Sequence, residues 1–101
     1  MTRDEILAMK AGFDLDCLVA DTLGLGFLYY STGISAAWQV VETLQKKQTV
    51  HILLCTLSNT CIIDLGFEVG KVAIESETIL EAFCEAICKA ALLARLDKEW
   101  Q

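Results

Sequence analysis

One histidine and five cysteines are the residues that could most directly do chemistry in this chain. His51 lies near Cys55 and Cys61 in sequence, and an imidazole beside a thiol can create a nucleophilic thiolate. Cys84 and Cys88, with His51, could also hold a metal if the fold brought them together. Neither arrangement is well marked. Cys17, Cys55, Cys61, Cys84 and Cys88 lack the paired C-x-x-C spacing of a zinc site, and each sits among apolar neighbours. Reduced thiols packed in a core are the expectation, with His51 as a strand histidine holding one hydrogen bond. Glu77, Glu81 and Glu85 recur every fourth residue, but without a second set of ligands they read as the solvated face of a helix. Gly24-Leu25-Gly26 lacks both the lysine of a P-loop and the third glycine of a dinucleotide fingerprint, so it reads as a turn.

A second constellation suits binding better than catalysis. Tyr29-Tyr30-Ser31-Thr32 runs directly into a helical pattern that carries Trp38. Unpaired amides at a helix start attract anions, and tyrosine and tryptophan rings stack on planar ligands. Tyr29, Tyr30, Ser31, Thr32 and Trp38 are therefore the candidate ligand-binding residues. The plainer alternative is that Ser31 or Thr32 only caps the helix while the rings pack locally.

The elements that must position these residues follow from periodicity. Thr2-Arg3-Asp4-Glu5 spells a capping box, predicting a short helix from about Arg3 to Lys10 that stops at Gly12. Asp14 should cap a second helix with Leu15, Leu18, Val19 and Leu23 on one face. A third helix, capped by Ser31 or Thr32, should run to about Lys47 with Ile34, Ala37, Trp38, Val41 and Leu44 inward. The period then shortens. Val50 to Cys55 and Thr60 to Leu65 read as strands joined by a turn at Leu57-Ser58-Asn59, and Phe67 to Glu75 as a third strand broken at Gly70. Ser76 should open a long helix to about Asp97, with Ile79, Leu80, Phe83, Ile87, Ala91 and Ala94 buried, Lys89 extending the glutamate row, and Lys98 to Gln101 as a frayed end. The first strand is apolar on both faces, which predicts a sheet covered on both sides. Its exposed edges leave room for dimerisation.

The whole chain of 101 residues is expected to be one domain, residues 1–101, with no proline to mark a linker. Hydrophobic residues make up 54%, enough for a core and too many for a disordered tail. Eight lysines and arginines against fourteen aspartates and glutamates give a net charge of −6. That balance, with Lys46-Lys47 as the one adjacent basic pair, argues against nucleic acid as a partner. No apolar run approaches the roughly 18 residues of a membrane span, and the charged start does not look like a signal peptide. A soluble, cytoplasmic protein is expected.

Three blocks of the chain then resemble a known family. Asp16-Cys17-Leu18-Val19-Ala20-Asp21, Tyr30-Ser31-Thr32-Gly33-Ile34-Ser35-Ala36-Ala37-Trp38-Gln39-Val40-Val41 and Ala86-Ile87-Cys88-Lys89-Ala90-Ala91-Leu92-Leu93-Ala94 are similar, in order, to the phage ABA sandwich domain family. Arg3-Asp4-Glu5-Ile6-Leu7 resembles that family's opening. The chain departs from the pattern at Gly33, where members often carry an acid, and in lacking a proline before Ala86. The Gly33 departure weakens any idea of an essential acid in this loop.

The resemblance implies an α-β-α layered domain encoded by phage or prophage, and brings no activity, cofactor or catalytic residue. The combined expectation is an α+β sandwich with a three-stranded antiparallel sheet and helices on both of its faces. Its function is expected to be non-enzymatic binding, without cofactor or metal, through a protein partner or a homodimer in the host cytoplasm. Interference with a host or defence protein fits that expectation. Sequestration of an anionic or aromatic small molecule is the alternative, and a cysteine- and histidine-dependent enzyme the third.

Overall fold

The computed structural model describes residues 2–66 and 71–100, with side chains through residue 95. In chain order the elements are α1 (Arg3–Ala8), α2 (Phe13–Leu23), α3 (Ile34–Gln45), β1 (His51–Cys55), β2 (Thr60–Asp64), β3 (Lys71–Glu75) and α4 (Ile79–Trp100). The expected strand residues 67–70 lie outside the described residues, as does Gln101.

The capping box is present in full. Glu5 N–H donates to Thr2 Oγ1 at 3.2 Å, and Thr2 N–H donates back to Glu5 Oε1 at 3.1 Å. The helix it starts is shorter than expected and ends at Ala8, so Gly12 does not stop it. Gly12 is instead the residue before α2, at φ 148°, a backbone conformation that side chains disfavour. Asp14 consequently lies inside the first turn of α2 and does not cap it. At the other end Gly24, at φ 68°, closes α2 in the left-handed conformation.

The sheet is antiparallel in the order β1-β2-β3. Its register sets Ile52, Ile63 and Val72 across from one another, and likewise Leu54, Cys61 and Ile74. This face packs on α4, burying Cys61, Ile63 and Val72. The opposite side of α4 receives α1, α2 and α3. Layered from both sides, α4 is buried nearly all round from Ala82 to Ala94.

The fold is thus the α+β sandwich with a three-stranded antiparallel sheet that the sequence implies. The order of its layers, however, is sheet, α4, then α1 to α3. Among the described residues no helix covers the second face of the sheet, where Leu53 is 56% exposed. The apolar run of β1 therefore does not mark a strand covered on both sides.

Two expected helix faces are also shifted. In α3 the buried residues are Ala37, Val40, Val41 and Leu44, while Ile34 and Trp38 are only about half covered. In α4, Leu80 is exposed and Lys89 is buried. Lys89 Nζ donates to the Leu7 carbonyl at 2.8 Å and lies 3.4 Å from Glu85 Oε2, tying α1 to α4. The helix begins not at Ser76 but after Thr78, whose Oγ1 accepts the Glu81 N–H at 3.1 Å. Its far end continues through Trp100, beyond the expected stop at Asp97.

Candidate functional site

The Tyr29–Thr32 segment lies between α2 and α3 and is held by its backbone. The Tyr29 carbonyl accepts N–H bonds from Thr32 at 3.3 Å and Gly33 at 2.8 Å. Gly33, not Ser31 or Thr32, occupies the N-cap of α3, and no side chain bonds there. A Cβ on Gly33 would come 3.2 Å from the Tyr29 oxygen, so the tight turn favours glycine at this position.

Ser31 works in the opposite direction, back toward α2. Its N–H donates to Asp16 Oδ1 at 2.7 Å, and its Oγ accepts the Gly12 N–H at 2.9 Å. Both Ser31 and Asp16 are 1% exposed. A carboxylate buried against a backbone amide makes a charge-assisted bond, and Ser31 satisfies an orphan amide at the start of α2. The clasp commits the Ser31 amide to an internal anion and fixes the loop on the helix.

Tyr30 lies within the same buried layer. It is fully buried, and its hydroxyl donates to the Gly26 carbonyl. Burial pushes its phenol above the ordinary range, with the neighbouring Cys88 and Asp16 adding to the shift. Of the five candidate residues, Tyr29, Thr32 and Trp38 reach solvent. Trp38 packs on Phe83 of α4 with ring centroids 6.3 Å apart.

Tyr29 makes its ring contact with a phenylalanine instead. Its ring meets Phe27 edge-on at 5.6 Å, and Phe27 meets Phe13 at 5.4 Å. Phe13 is 69% and Tyr29 68% exposed. The three rings form a ridge across the start of α2 and the following loop, the two segments that the Asp16–Ser31 clasp joins. Phe13, Phe27 and Asp16 escape the sequence reading. The available signal was Phe13 itself, an aromatic off the Leu15–Leu18–Val19 stripe and therefore on the helix's solvent face.

The thiols divide by burial. Burial pushes the Cys61 thiol up to about 11, with Cys55 and Cys84 adding, and raises Cys84 and Cys88 as well. A thiol held protonated is a poor nucleophile at neutral pH. His51 sits on the open face of the sheet and Cys61 on the face against α4, so the strand alternation separates them. Cys55 shares the open face with His51 but lies at the other end of β1. Among the described residues, no group of three histidine, cysteine, aspartate or glutamate side chains is placed to hold a metal ion. No helix among them is long and apolar enough to cross a membrane.

The fold and this surface define a small layered α+β domain with an exposed aromatic ridge braced by a buried polar clasp. Residues 21–92 match the phage ABA sandwich domain, and the chain belongs to that family. Comparison with curated proteins and with solved structures gives no match.

Proposed function

We propose that this phage-family protein is a non-enzymatic binding protein that acts by protein–protein interaction in the host cytoplasm. The observation that carries the reading is the ridge of Phe13, Phe27 and Tyr29, three rings in series, with Phe27 touching the other two, left open to solvent. Aromatic side chains are favoured anchors in protein interfaces because they bury a large area at little cost in side-chain entropy. The clasp that joins the segments carrying them limits the ordering required on binding. A net charge of −6 suits a partner whose surface is basic around an apolar centre. Blocking a host or defence protein is a mode of action consistent with such a surface.

The test compares tagged wild type with a Phe13→Ser/Tyr29→Ser variant, both purified from host cells. A protein retained by the wild type and lost from the folded variant, then shown to bind with purified components, supports the reading. Equal retention by both removes the ridge from the interface. A reproducible small-molecule adduct in a native mass spectrum would replace the proposal with ligand sequestration.

A further inference from the structure

The open face of the sheet is a grid whose composition can be read from its register. One row holds His51, Asp64 and Lys71, the middle row Leu53, Ile62 and Ala73, and the last row Cys55, Thr60 and Glu75. Residues directly opposite one another on neighbouring antiparallel strands project to the same side, so these nine share one face. Leu53, Ala73, Lys71 and Glu75 are exposed. A shallow depression of about 460 Å3 lies between the first and middle rows, bounded by His51, Leu53, Ile62, Asp64 and Lys71 of this face together with Ile52 of β1. An apolar row flanked by polar rows is what a sheet presents when another layer packs on it.

The charges say which layer fits. Lys71 and Glu75 stand at the two ends of β3, four residues apart on an extended strand, roughly 13 Å and too far to pair with each other. Asp64, directly across from Lys71, turns its Oδ1 to the Gly66 N–H at 2.9 Å. Among the described residues, neither Lys71 nor Glu75 has an ion-pair partner.

Now place a second copy of the sheet face to face, related by a two-fold axis that runs beneath the middle row and across the strands. The operation exchanges the outer rows and returns the middle row to itself. Leu53, Ile62 and Ala73 then meet their own counterparts, while each Lys71 faces the other copy's Glu75. Asp64 comes to face Thr60. A two-fold interface must be self-complementary in this way, with residue i meeting j and j meeting i. At the ~10 Å spacing of packed sheets, a lysine and a glutamate reaching toward each other can pair.

We propose that the open sheet face is a homodimer interface, with the Leu53–Ile62–Ala73 row at its centre and two reciprocal Lys71–Glu75 ion pairs at its ends. It lies on the side of α4 away from the aromatic ridge, so the dimer presents two ridges outward and can bind a partner without dissociating. The proposal does not depend on the ridge having a partner.

Charge reversal tests this geometry. Native mass spectrometry and sedimentation equilibrium would follow the wild type, Lys71→Glu, Glu75→Lys and an equimolar mixture of the two variants. Both positions are on the surface, and circular dichroism checks that each variant folds. The wild type is expected to dimerise. Each reversal alone sets two pairs of like charges in opposition and should weaken the dimer by on the order of tenfold or more. In the mixture the variants are complementary at both ends, so a heterodimer should form in preference to either homodimer. A wild type that stays monomeric at every concentration overturns the proposal. So does a dimer indifferent to the single reversals, or a mixture that yields no heterodimer. Leu53→Asp checks the centre of the same face and should also give a folded monomer.

Discussion

Asp16 and Ser31, fifteen positions apart in sequence, are joined by a buried bond of 2.7 Å from the Ser31 N–H to the Asp16 carboxylate. Through it the loop carrying Tyr29 and Tyr30 is fastened to the first turn of α2, and the aromatic ridge has a fixed base. Replacing Asp16 with alanine leaves a buried amide without an acceptor and should destabilise the protein by ~2–3 kcal/mol. Asp16→Asn, which keeps an acceptor of the same shape, should recover a large part of that loss. Urea denaturation of the two variants measures the difference.

Lys89 plays a similar part between α1 and α4. Its 3% exposed side chain donates to the Leu7 carbonyl and pairs with Glu85. Lys89→Met keeps the aliphatic stem and removes the charge, leaving both acceptors without this donor. A loss of about 1–3 kcal/mol is expected. Hydrogen exchange should quicken first in α1, whose six residues cannot sustain a helix without docking.

The same short helix depends on its capping box. Thr2→Ala removes the acceptor for the Glu5 N–H and should cost ~1 kcal/mol, since a lost N-cap bond exposes an orphan amide. Amide exchange at Glu5 should rise while α4 remains protected.

The thiols make a prediction about pH. Burial raises Cys61 from an ordinary 9.0 to about 11, so the folded state keeps a proton that the unfolded state releases more readily. This contribution to stability is complete below about pH 9 and is lost as pH rises toward 11. Cys84, Cys88 and Tyr30 are raised in the same direction and add to an alkaline loss of stability. Denaturation midpoints measured across this range should fall. At neutral pH a thiol reagent should modify the half-buried Cys17 and Cys55 well before Cys61, Cys84 and Cys88.

Removing the ridge should hardly affect the fold. Phe13→Ser/Tyr29→Ser truncates rings that are already open to solvent, so the stability change should stay below ~1 kcal/mol. Thermal unfolding of the variant separates a lost interface from a lost fold.

What the sequence by itself determined was chiefly local. The Thr2–Glu5 capping box, the helix around Val41, the two strands on either side of Asn59 and the long final helix are written in short-range patterns. So is the burial of three of the five thiols, since cysteines embedded in apolar runs have few other places to go. The tertiary structure decided what periodicity leaves open. A strand pattern separates two faces but does not say whether anything covers the second, and the open face of β1 is such a case. Lys89 reads as the end of a solvated row until α1 docks over it and the Leu7 carbonyl becomes its acceptor. Ser31 precedes a helix and so reads as that helix's cap. Only the fold brings Asp16 and Gly12 within hydrogen-bond distance of it, and those two long-range bonds, absent from any local window, turn it toward α2 instead.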